Sequence, residues 1–234
     1  MMAQGYRLVH VAGYGVNGVA YYAAIWEKRA GPPWQARHGL TGGQYQQTFN
    51  QLSQQGYRIR RVSGYFVAGA PYYAAIWEQR SGPPLQARHG LSGAGYQQFF
   101  DRMLAQGYRL DWVSGYQLGD DAHYAAIWEQ RSGAPFQARH GMTAPDYQQT
   151  FNQMSAQQYR LRHVCGYSVL GLPYFAAIWE QRAGPPWEAH HNMTGAQYQQ
   201  TFDRLVSGKG YRLTDVSGYD AGGQAVYAAI WEQA

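Results

Sequence analysis

Apolar and polar residues alternate along "YRLVHVAGY" (6–14) and again along "YYAAIWEKR" from Tyr21. A period of two places successive side chains on opposite faces of a strand. In the second run Tyr22, Ala24 and Trp26 share one face, and Ala23, Ile25 and Glu27 share the other. The linker GVNGVAY contains glycine, which predicts an antiparallel hairpin. A Gly-Pro turn follows in "RAGPPWQARHGL" (29–40), where a third, short strand fits. The period then changes. Tyr45, Phe49 and Leu52 stand at i, i+4 and i+7, one face of a helix. Thr41 with Gln44 forms a capping box at its start, and Gly56 is a stop.

This order recurs. Tyr6-Arg7, Tyr57-Arg58, Tyr108-Arg109, Tyr159-Arg160 and Tyr211-Arg212 are spaced by 51, 51, 51 and 52 residues. The units are 6–56, 57–107, 108–158 and 159–210, closed by a hairpin at 211–234. One unit is too small to hold a core of its own, so neighbours must stack in a single array. The predicted fold is α+β: a tandem repeat of hairpin, short strand and helix, ending in a last hairpin. Five hairpins against four helices favour an open arc over a closed ring.

Composition sharpens this picture. Of 234 residues 29 are glycine and 21 tyrosine, which suits short strands and tight turns. The formal charge is +5, and only Lys28 and Lys209 among the 19 basic residues are lysine. A single cysteine, Cys165, excludes an internal disulfide or a cysteine-rich zinc site. No apolar run is long enough for a membrane helix. The first residues lack a signal-peptide pattern, which leaves localisation open between the cytoplasm and secretion with the signal missing.

Comparison of the units separates fixed from varying positions. The Tyr-Arg pair, Gly13-Tyr14 and the Ala-Ala-Ile-Trp-Glu run are fixed, with their equivalents. Small alanines beside Ile and Trp suit packing between repeats, and Gly13 suits a close backbone approach. Trp26, Trp77, Trp128, Trp179 and Trp231 read as packed rather than as an exposed stacking ladder. The recurring acid and base predict structural ion pairs within or between units, drawn from Arg7, Arg58, Arg109, Arg160 and Arg212 with Glu27, Glu78, Glu129, Glu180 and Glu232.

Candidate ligand contacts lie next to the fixed run. They are the residues after the proline turn (Trp34, Leu85, Phe136, Trp187), the recurring histidines (His38, His89, His140, His191) and Arg37, Arg88 and Arg139. One histidine per repeat cannot gather around one metal, so no metal or cofactor is expected. The hairpin loops vary, as do Val9-His10, Arg60-Arg61, Asp111-Trp112, Arg162-His163 and Thr214-Asp215. These read as surface positions on a common frame. Cys165 stands where other units have Ala12, Ser63, Ser114 and Ser217, a small filler.

The order "GYR…VSGY…YAAIWEQR…QARHGMT…YQQTFNQL" resembles a bacterial tandem repeat of about 50 residues, found in the non-catalytic part of polyglycine hydrolases. The likeness covers essentially the whole chain. In that family the repeats accompany a β-lactamase-like serine hydrolase domain. Its Ser-x-x-Lys motif is absent here, and no Gly-x-Ser-x-Gly elbow or phosphate loop is present. The resemblance therefore implies an array that binds or positions a polymer, not the hydrolase activity. The expected function is non-enzymatic, multivalent binding of a glycan, extended peptide or cell-wall polymer. The alternative is a structural module that self-assembles into a homo-oligomer or accompanies a hydrolase. Nucleic-acid binding ranks below both, because the arginines recur at scaffold positions.

Overall fold

The computed structural model describes residues 1–234. Five hairpins form where the alternation places them: β1 (Tyr6–Val16) with β2 (Val19–Lys28), β4 (Tyr57–Val67) with β5 (Ala70–Gln79), β7 (Arg109–Leu118) with β8 (Asp121–Glu129), β10 (Arg160–Val169) with β11 (Leu172–Glu180), and β13 (Tyr211–Ala221) with β14 (Gln224–Gln233). The short strands after the proline turns are β3 (Trp34–Leu40), β6 (Leu85–Ser92), β9 (Phe136–Thr143) and β12 (Trp187–Thr194). Each leads into a helix: α1 (Gly42–Gln54), α2 (Gly93–Ala105), α3 (Ala144–Ala156) and α4 (Gly195–Phe202).

The short strand does not pair with the hairpin before it. The proline turn carries the chain across to the next hairpin, where Trp34 faces Glu78 and Ala36 faces Ile76. The sheets are therefore β4-β5-β3, β7-β8-β6, β10-β11-β9 and β13-β14-β12, with β1-β2 as a two-stranded fifth. Units that begin at the hairpin have the correct period, but each sheet borrows its third strand from the unit before.

The sheets stand like the blades of a propeller, with β1, β4, β7, β10 and β13 side by side at the centre. Blades pack face to face through the fixed Gly-Tyr pair. Tyr65 lies on Gly13, Tyr116 on Gly64, Tyr167 on Gly115 and Tyr219 on Gly166, where a Cβ would sit inside the tyrosine ring. Glycine is required here for close approach. The tyrosine hydroxyl then bonds back to the previous blade's middle strand, as in Tyr65 to Tyr22 at 2.7 Å and Tyr116 to Tyr73 at 2.7 Å.

The arc favoured by the count of hairpins and helices curves until its ends meet. Tyr14 lies on Gly218 and its hydroxyl is 2.9 Å from that of Tyr227, the same contact that joins the other blades. Ala23 and Ile25 pack on the cluster of Val216, Ala229 and Trp231. The array is thus a ring closed by side-chain packing. No hydrogen-bonded barrel forms, because the inner strands never pair with each other. Hairpins carry the blade contacts, so a missing helix does not prevent closure.

Trp77, Trp128, Trp179 and Trp231 are fully buried between blades. Each removes on the order of 200 Å² from water, worth up to about 5 kcal/mol before entropy. Trp26 is only half-buried because β2 lacks a third strand and a helix.

Candidate functional site

Each inner strand is the edge of its sheet, so one side of its backbone faces the ring axis. Hydroxyls from the next blade cap part of that edge. Gly13 N–H donates to Ser63 Oγ at 2.9 Å, Gly64 N–H to Ser114 Oγ at 3.0 Å and Gly166 N–H to Ser217 Oγ at 3.0 Å. Gly115 N–H meets Cys165 Sγ at 3.4 Å. Burial pushes the Cys165 thiol up to about 11, so it is a weak acceptor rather than a nucleophile. The fifth position of this layer is Ala12, beside Gly218, and it has no hydroxyl to offer.

Below that layer the repeat symmetry breaks. The equivalent residues are His10, Arg61, Trp112, His163 and Asp215, and all but Arg61 are fully buried. The varying residues expected at the surface are therefore divided. A β-bulge before these five shifts the register and turns them inward, while ring closure supplies the burial. Asp215 lies 2.8 Å from His163 Nδ1, accepts Val164 N–H at 2.8 Å and approaches His10 Nδ1 at 3.3 Å. His163 Nε2 meets the Val113 carbonyl, His10 Nε2 meets that of Val216, and Trp112 Nε1 donates to Val62 O. The Arg61 guanidinium stacks 4.2 Å above Trp112. Burial pulls the His10 imidazole down to about 4, outweighing the Asp215 charge beside it. Burial opposes ionisation of Asp215, yet His163, its hydrogen bond and His10 hold the carboxyl below its ordinary value. These mutual contacts plug the axis.

Above the plug is a funnel of about 450 Å³, walled by all five inner strands and open among the hairpin loops. Its rim is preorganised. Asn17 donates to Gly223 O, Gly222 N–H to Gly171 O, and Leu170 N–H to Gln117 Oε1. Ala68 and Leu170 are held at φ 49° and 51°, left-handed values that cost a residue with a Cβ roughly 1 kcal/mol each. The Ser168 hydroxyl in the wall has no partner. Every charge at the tips of the hairpins is acidic: Asp120 in a turn, Asp121 at the start of β8 and Asp220 near the end of β13.

The opposite face is basic and cross-linked. Arg7 reaches Glu78 at 2.9 Å, Arg58 reaches Glu129 at 3.3 Å, Arg109 reaches Glu180 at 3.3 Å and Arg160 reaches Glu232 at 3.5 Å, each joining one blade to the next. The ring seam differs. Glu27 pairs with Arg29 at the surface, and the exposed Arg212 makes no ion pair. Without an outer strand over β2, Glu27 turns outward to a nearer cation. Arg212 therefore does not have the structural role expected of it.

The other candidates lie at the periphery. Trp34 packs on Trp26, Phe136 lies under Arg109, Trp187 lies under Arg160, and Leu85 borders the core of its blade. Arg37, Arg88 and Arg139 are exposed, each donating to the carbonyl of the alanine before it. His89 stands edge-on to Tyr45, with Nε2 3.3 Å from Gln46 Oε1. Arg88 and His89 face Tyr45, Gln46 and Phe49 across a groove of about 240 Å³ between α1 and β6. His140 on Tyr96 and His191 on Tyr147 repeat the contact at 4.7 and 4.8 Å. His38 meets only Tyr22, because no helix precedes β3 on that side. The funnel went unseen in the sequence. Its signal was the variation at His10 and its equivalents within an otherwise fixed strand.

A family model described as polyglycine hydrolase-like, structural repeat, matches residues 1–29, 31–80, 82–131, 133–182 and 184–234. The last four matches each contain a short strand, its helix and the hairpin with which that strand pairs.

Proposed function

Because the chain belongs to the polyglycine hydrolase-like structural repeat family, we propose that it is a non-enzymatic binding module whose main site is the axial funnel. The observation that supports this most is the break in repeat symmetry at the axis, where the equivalent positions hold His10, Arg61, Trp112, His163 and Asp215, and His10, Trp112 and His163 floor one cavity walled by five similar strands. A volume of about 450 Å³ suits a few peptide or sugar residues. Edge backbone suits the amide groups of an extended peptide. Hairpin tips whose only charges are Asp120, Asp121 and Asp220 favour a cationic end, so the peptide enters amino-terminus first. The same charges repel nucleic acid from this mouth.

A second reading rests on the groove at His89 and on the equivalent His–Tyr contacts of His140 and His191. These would bind multivalently a glycan or polymer running around the rim. Calorimetric titration with extended peptides bearing free or acetylated amino termini, and with neutral oligosaccharides, separates the readings. Funnel binding gives one site per chain, is weakened by acetylation and is lost in Ser168→Trp, which fills the wall. Three equal sites that persist in Ser168→Trp support the grooves. No saturable binding of any probe overturns both readings.

A further inference from the structure

In four blades the middle strand has a partner on each side, and in the first it does not. β5, β8, β11 and β14 each pair with an inner strand and an outer strand, whereas β2 pairs only with β1. The consequence is visible residue by residue. Tyr73, Ala75 and Trp77 are buried, while their equivalents Tyr22 and Ala24 are exposed and Trp26 is half-covered. A run of unpaired N–H and C=O groups therefore lies beside an uncovered aromatic face, a template for another strand.

The chain itself shows what fits. The segment that covers β5 is a seven-residue strand followed by a helix. Trp34, Gln35, Ala36 and Arg37 face Glu78, Trp77, Ile76 and Ala75. Tyr45 of the helix then stacks on Tyr73 at 5.0 Å and approaches Trp77 at 6.2 Å. In the same register Glu27, Trp26, Ile25 and Ala24 would receive the strand, and Tyr22 with Trp26 would receive the helical tyrosine. The end of the helix is already in place. Met2–Gln4 form a helical turn stopped by Gly5 at φ 80°, as Gly56 at φ 79° stops α1. "MMAQGYRL" also matches "RMLAQGYRL" at the end of α2.

We propose that the β2 edge with its aromatic face is a docking socket for a strand–helix segment of this same repeat type. The strand must be antiparallel to β2, with alanine over Ile25. The helix must carry Tyr and Phe four residues apart, as Tyr45 and Phe49 are. This socket lies on the outside of the ring, away from the funnel, and stands whether or not the funnel binds a ligand.

The test adds a synthetic peptide with the sequence of residues 31–56 to the intact protein. Binding is followed by calorimetry and by amide hydrogen exchange along Val19–Lys28. The expected result is one peptide per chain, slowed exchange in β2 and at least a tenfold loss with a Gln35→Pro peptide, which lacks an N–H that points to the middle strand in this register. A second arm fuses residues 31–51 ahead of Met1, which stands where Leu52 stands in the next unit, so that a peptide too unfolded to bind alone is tested at high effective concentration. It should raise Tm and protect β2. Absence of β2 protection in both arms overturns the proposal, as does equal binding of the proline peptide. Concentration-dependent dimers that protect β2 without peptide would assign the socket to a second copy of the chain and also overturn it.

Discussion

His10 carries the clearest consequence at the scale of single residues. Its imidazole is buried beside Asp215, Arg61 and His163, and burial holds it at about 4 against an ordinary 6.5. Between those values the unfolded chain binds a proton that the folded state does not. This contribution to stability is complete above pH 6.5 and is lost as pH falls towards 4, amounting to about 3 kcal/mol. His10→Gln keeps a donor for the Val216 carbonyl and removes the titration. Urea denaturation at pH 7 and pH 4 should show wild type losing about 3 kcal/mol more than the variant. Equal losses would mean that His10 is not held neutral by burial. The sequence marks His10 as a varying position and gives no sign that it is inside. Its burial comes in part from the last blade, adjacent in the ring but 206 positions away in the chain, and no local pattern encodes that.

At the scale of elements, local chemistry reads well. Thr41, Thr143 and Thr194 cap their helices with reciprocal bonds, and Ser92 caps α2 without one because Gly95 has no side chain. Thr143 receives Asp146 N–H at 3.4 Å, and its own hydroxyl donates to Asp146 at 2.6 Å. Thr143→Ala should therefore cost about 1 kcal/mol and Ser92→Ala about half as much, measured by chemical denaturation. Equal costs would remove the significance of the reciprocal bond. The short strand was equally visible, but its partner was not. Alternation shows that "WQARHGL" can pair, and nothing in it distinguishes the hairpin behind from the hairpin ahead. The rigid Gly-Pro-Pro turn makes that choice in three dimensions.

The whole molecule is a ring with two unlike faces and one unlike blade. Its funnel exists only because the first and last hairpins meet; an open arc would leave His10 and Asp215 apart and the cavity without a wall. The fixed Gly-Tyr pair could have hinted at closure. It is present in all five hairpins, and a Tyr in the first needs a Gly before it in the ring, which only Gly218 supplies. Spin labels placed at equivalent positions beside the hairpin loops test this most directly. In a Cys165→Ser background, pairs at 19/224, 172/224 and 19/121 are compared by double electron–electron resonance. A closed ring predicts one narrow distance for 19/224, equal to that of the adjacent pair 172/224 and shorter than that of 19/121. A 19/224 distance longer than that of 19/121 would contradict closure, and with it the funnel.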